Sequence, residues 1–129
     1  MRGSHLEKCL TIIALSIFAD SYVHSVETDK FISASHKLPA LKNKSVVITD
    51  VELLAWYHEN KVRLISKTNS EDYKDWLYKQ LDSISDKAEQ RAILTIMKDI
   101  SVADHNFHVR EQALIMFIAR YWDINQSYV

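Results

Sequence analysis

The chain has one glycine and one proline in 129 residues. Sandwiches and barrels of short strands turn roughly every 8–12 residues, and those turns draw heavily on glycine and proline. Gly3 at the N-terminus and Pro39 cannot supply them. What remains is a set of helices joined by Asn, Asp, Ser and Lys turns. The chain's 15.0 kDa is the size of one domain, and 47% apolar with 26% charged side chains is a globular proportion. A chain of this length can bury a core without a disulfide or metal. The single Cys9 excludes an intramolecular disulfide and any multi-cysteine zinc site. Sixteen basic and 17 acidic side chains, with eight of the basic ones in each half, leave no polybasic arm, which argues against nucleic acid as a partner.

Apolar periodicity gives six helices. Leu6, Leu10, Ile13 and Ile17 set one stripe, and Cys9, Ile12, Ala14, Leu15 and Phe18 widen it almost all round. The spacing predicts a central, buried helix over about 6–20. Its uncharged run, Cys9 to Ala19, is too short to span a bilayer. Glu7 in its flank and the absence of a small-x-small cleavage site separate it from a secretion signal. A second helix, about 25–37, carries Val26, Phe31, Ile32 and Ala34 and is ended by Pro39. A basic loop is expected over 39–48, with Val46-Val47-Ile48 as a short strand. Thr49 and Glu52 form a capping box that starts the third helix. The fourth spans about 71–84. The fifth, about 87–103, follows Ser85-Asp86 and is expected to be as central and buried as the first. The sixth spans about 109–122. Residues 1–5 (MRGSH) are either an expression-vector remnant or a native, disordered N-terminus, so the domain is assigned to 6–124, with a tail at 125–129. Trp56, Trp76 and Trp122 are read as packing residues.

One short pattern occurs twice. Ala19-Asp20-Ser21-Tyr22-Val23-His24-Ser25-Val26-Glu27 and Ala103-Asp104-His105-Asn106-Phe107-His108-Val109-Arg110-Glu111 both read A-D-x-x-[VF]-H-x-x-E, 84 residues apart. Each copy follows an apolar helix and precedes an amphipathic one, with Phe31-Ile32 after the first and Ile115-Met116 after the second. The reading is a helical hairpin used twice about a pseudo-twofold axis. Asp20 and Asp104 fall at helix C-terminal ends, where the dipole disfavours an acid. Glu27 and Glu111 fall in the first turn of the next helix. These acids are either turn and cap residues or ligands converging on a divalent cation, which carboxylate oxygens suit. His24 and His108, repeated at one position, join the candidate ligand set.

The segment from Ile100 to Glu111, followed by Ile115 to Arg120, resembles the second repeat of the tellurite-resistance TerB family, whose hallmark is an apolar helix, then A-D-G-x-[FV]-x-x-x-E, then an amphipathic helix. Residues 13–32 resemble its first repeat, and the likeness extends over about 6–124. The resemblance implies an all-α, single-domain bundle of two helix-hairpin repeats. It also implies a divalent-metal site whose ligands here are Asp20, Glu27, Asp104 and Glu111. It further implies a cytoplasmic protein, or one at the inner face of a bacterial membrane, acting in tellurite or other stress resistance without enzymatic activity. The family's glycine is Ser21 in one repeat and His105 in the other. His24 and His108 replace its usual acid or hydroxyl, which tilts metal preference toward transition ions.

The function expected is therefore a non-enzymatic helical binding module with an acidic, metal-responsive site. A di-metal carboxylate enzyme in a helical bundle is one alternative, but it uses Glu-x-x-His in mid-helix rather than His-x-x-Glu at a helix start. A metal-free adaptor that docks a partner protein through exposed tryptophans is the other. Cys9, in an apolar helix, is not expected to act as a nucleophile. No glycine-rich phosphate loop or G-x-S-x-G elbow is present.

Overall fold

A computed structural model describes residues 4–18, 25–43, 47–102 and 109–124. The protein is an all-α bundle, and no strand occurs among the described residues. The helices are α1 (Ser4–Phe18), α2 (Ser25–Ser35), α3 (Pro39–Lys42), α4 (Asp50–Thr68), α5 (Tyr73–Asp82), α6 (Lys87–Ser101) and α7 (Val109–Tyr121).

Local sequence explains most boundaries. The Thr49 hydroxyl accepts from the Glu52 amide while the Glu52 carboxylate accepts from the Thr49 amide, so the capping box is formed. The Asp86 side chain accepts from the Ala88 amide and opens α6. Two expectations are corrected between α2 and α4. Pro39 does not lead into a loop: it stands at the first position of α3, where its missing N–H costs nothing. Val47 and Ile48 are not strand, and Val46 lies outside the described residues. Val47 is exposed and Ile48 buried, so of the apolar run that suggested a strand Ile48 drops into the core while Val47 faces water. The first helix also begins earlier than expected, taking in Ser4 and His5.

From Cys9 to Phe18 every residue of α1 is buried, which matches a stripe that runs almost all round. It is enclosed by α2, α4, α5, α6 and α7. At roughly 1.5–3 kcal/mol for each fully buried Leu or Ile side chain, α1 is the main apolar contributor to stability. Its polar members close on their own helix: the Thr11 hydroxyl donates to Glu7 O at 2.7 Å and the Ser16 hydroxyl to Ile13 O at 2.7 Å. The helix α6 packs on α1, α2, α3 and α7. It buries Ile93, Leu94, Ile96, Met97 and Ile100 but leaves Arg91 and Lys98 exposed, so it is amphipathic rather than enclosed like α1.

The end of α7 is fastened to the α5–α6 corner. The Trp122 indole N–H donates to Leu81 O at 3.0 Å, the Lys87 ammonium donates to Trp122 O, and the Tyr121 hydroxyl donates to Asp82 Oδ1 at 2.5 Å. That last bond, with the charge of Asp82, holds the Tyr121 phenol above its ordinary pKa. Trp56 and Trp122 are each 4% exposed, while Trp76 is half-buried beneath the Lys67 ammonium. Among the described residues no helix is long and apolar enough to cross a membrane.

Candidate functional site

Of the six residues singled out in the repeated motif, Asp20, His24, Asp104 and His108 lie outside the described residues. Glu27 is the third residue of α2 and Glu111 the third residue of α7, so both copies end with a glutamate in the first turn of a helix. Glu111 is 0% exposed. Dehydrating a carboxylate costs several kcal/mol, of which the positive end of the α7 dipole returns a part. Both α2 and α7 rest on the α1–α6 pair, which brings the two hairpins onto one scaffold.

A second cluster lies where α1 meets α6, and sequence reasoning did not find it. His5 and Cys9 are one helical turn apart on the same face of α1, and Glu89 is in the first turn of α6. The His5 ring stands 2.6 Å from the Glu89 carboxylate, Nε2 to Oε1. The Cys9 thiol lies within 4.8 Å of the same carboxylate. One ligand atom from each of the three, a nitrogen, a sulfur and an oxygen, lies within 4.8 Å of the other two. No other group of three or more His, Cys, Asp or Glu side chains comes this close together among the described residues. Cys9 is 1% exposed, and the Glu89 side chain is 11% exposed against 55% for His5, so the cluster opens to water on its histidine side. Burial first, then the Glu89 charge and hydrogen bond, push the Cys9 thiol up to about 12. Cys9 is therefore a protonated donor near neutral pH, as its apolar helix suggested.

Two sequence signals could have found this cluster. His5-x-x-x-Cys9 is the one-turn spacing that places two ligands on one helix face. His5 and Glu89 are also 84 residues apart, the offset that relates the two motif copies.

A surface pocket between α1 and α4 is lined by Glu7, Glu52, Ala55, Trp56 and Glu59. Glu52 and Glu59 stand exposed, and Glu52 is committed to the Thr49 cap, so this is a solvated acidic face rather than an enclosed site. Comparison with known proteins finds no matching family model, no matching curated protein and no matching solved structure.

Proposed function

We propose that this chain is a non-enzymatic, TerB-like helical binding module. In this reading it holds a divalent cation at its repeated acidic motif and acts in a bacterial stress or metal response of the tellurite-resistance kind, in the cytoplasm. The observation that carries the proposal is Glu111, a wholly buried glutamate in the first turn of α7, at the motif position that Glu27 occupies in α2. The helix pairings support it. A twofold that exchanges α1 with α6 and α2 with α7 turns the α1–α2 contact into α6–α7 and the α1–α7 contact into α2–α6, and all four occur. Burial follows the same offset: Leu10 and Leu94, Ile12 and Ile96, Phe31 and Ile115, Ala34 and Ile118, Leu38 and Trp122 are all in the core.

The cation would draw on Asp20, Glu27, Asp104 and Glu111, with His24 and His108 at the margins. Acids brought together repel one another, and a cation that binds only the native chain offsets that repulsion. At roughly a hundredfold excess over its Kd the ion adds about 2.7 kcal/mol, a Tm rise of roughly 10 °C for a domain of this size. Thermal unfolding in EDTA, then in calcium or manganese, tests this. Wild type should shift for one of the two, and the Asp104→Ala, Glu111→Ala double variant should lose the shift. If neither ion moves the wild-type midpoint, the motif acids are structural.

A partner protein, where one binds, would not meet a tryptophan pair, since Trp56 and Trp122 are inside. Among the described residues, the apolar groups open to it include Val51, Leu54 and Val62 on α4 and Val109 and Met116 on α7.

A further inference from the structure

We propose that His5, Cys9 and Glu89 form a second, separate site at the junction of α1 and α6, which binds a divalent transition-metal ion of the zinc class. The argument starts from donor chemistry. Imidazole nitrogen, thiolate sulfur and carboxylate oxygen are the three ligand types that zinc takes, and calcium or magnesium would not select the sulfur. Zinc sites with three protein ligands leave the fourth position to water, and this cluster has three ligands and one open side, at the half-exposed His5 ring.

Geometry agrees. A tetrahedral zinc ion holds its nitrogen, oxygen and sulfur ligand atoms roughly 3.3–3.6 Å apart, given bonds of about 2.0–2.3 Å. Here all three atoms lie within 4.8 Å of one another, with His5 and Glu89 at 2.6 Å. Seating an ion therefore asks for side-chain rotations of about 1 Å, not a movement of helices. Without metal, the Glu89 carboxylate is held by the His5 ring, with the Cys9 thiol within 4.8 Å of it. Binding replaces the His5–Glu89 hydrogen bond with one cation bonded to all three, and the thiol proton leaves to bulk water as the sulfur–metal bond forms. Thiolate and carboxylate together carry two negative charges, which a divalent ion cancels, so the buried complex is neutral. The start of α6 favours the anionic ligands through its dipole.

The ion would join α1 to α6, the two helices on which the remaining packing rests. This site does not depend on the acidic motif, and the experiment keeps the two apart. Cobalt(II) stands in for zinc because a cobalt–thiolate bond absorbs in the near ultraviolet and carboxylate ligation does not. One equivalent of cobalt added to the full chain should give that charge-transfer band, and zinc should remove it by competition. His5→Ala is the primary variant, since His5 is largely exposed and its loss leaves the core intact. It should weaken binding by at least about tenfold. Glu89→Gln should do the same, and Cys9→Ser should abolish the band while circular dichroism still reports a helical fold. The Asp104→Ala, Glu111→Ala double variant should keep the band unchanged. No thiolate band in folded wild type overturns the proposal. So does a band of equal affinity in His5→Ala and Glu89→Gln, which would mark metal bound by the thiol alone.

Discussion

The helices α1 and α6 each precede one copy of the repeated motif, are each 15 residues long and pack against each other, yet only one is enclosed. Taken at the offset of 84, their shared faces match. Their other faces differ: Ala14 is wholly buried where Lys98 is exposed, Leu15 is buried where Asp99 is half-exposed, and Phe18 is buried where Val102 is open. The cause lies in the helices between the two hairpins. Both α4 and α5 pack on α1, where the Tyr57 ring of α4 lies against Phe18, the residue whose match at the offset of 84, Val102, is open. Two helices packed on one another can therefore carry unequal sequences, because the helices that cover one of them decide which becomes the core.

The largest expected effect comes from exchanging the two characters. Ala14→Lys places an ammonium at a 0% exposed position and should unfold the protein or cost more than about 4 kcal/mol. Lys98→Ala, at the counterpart position, should cost less than about 1 kcal/mol. Urea unfolding of both measures the contrast, and equal costs would refute the covering role of α4 and α5. On the matched face the costs should instead be alike. Leu10→Ala and Leu94→Ala, both at 0% exposure, should each destabilise by about 2–5 kcal/mol.

Cys9 sharpens the comparison further, since its counterpart Ile93 cannot ionise. Cysteine is neutral when protonated, so a folded pKa above the unfolded value means that the native state favours the thiol. The resulting stability is complete below the ordinary pKa near 9.0 and is lost as pH rises toward about 12. At a pH below both values the native thiolate population should be roughly a thousandfold below that of the unfolded chain. Metal-free protein should accordingly resist alkylation by iodoacetamide near neutral pH and react once unfolded in urea. Rapid alkylation of the folded chain would show that Cys9 is not enclosed.

What could be read from the sequence follows from how local each determinant is. The enclosure of α1 was legible because Ile12, Ala14 and Leu15 close its apolar stripe, and the start of α4 because Thr49 and Glu52 form their cap within one turn. The solvent face of α6 was missed although Arg91 and Lys98 mark it, because its apolar residues are dense enough to suggest a stripe all round. The turn α3 was missed because proline both ends one helix and begins another. The acid pattern drew attention to Glu111, whose burial the structure then shows. The His5–Cys9–Glu89 cluster was not seen, because the His5-x-x-x-Cys9 spacing gives only two ligands and the third arrives from α6 through tertiary packing.

The smallest effect lies at the ends of the two hairpins, where Pro39 and Asp123 are counterparts. After α2 the chain turns into a new helix at Pro39. After α7 it stops in a Schellman turn, in which the Ile124 amide donates to Ala119 O at 2.8 Å and the Asp123 amide to Arg120 O at 3.1 Å. That turn sets Asp123 at φ 55, the left-handed region, where a Cβ crowds the following carbonyl. Glycine is the usual occupant, and the chain's one glycine is at position 3. Asp123→Gly should remove the crowding at the cost of a more flexible unfolded chain, for a net gain of about 0.5–1 kcal/mol. Asp123→Ala keeps the Cβ and loses the local hydrogen bonding that lets Asp tolerate this region, so it should destabilise by about 1 kcal/mol. The two substitutions should therefore move the urea midpoint in opposite directions with no change in slope. If both move it the same way, the turn does not depend on the left-handed residue, and the second hairpin ends as loosely as any surface helix.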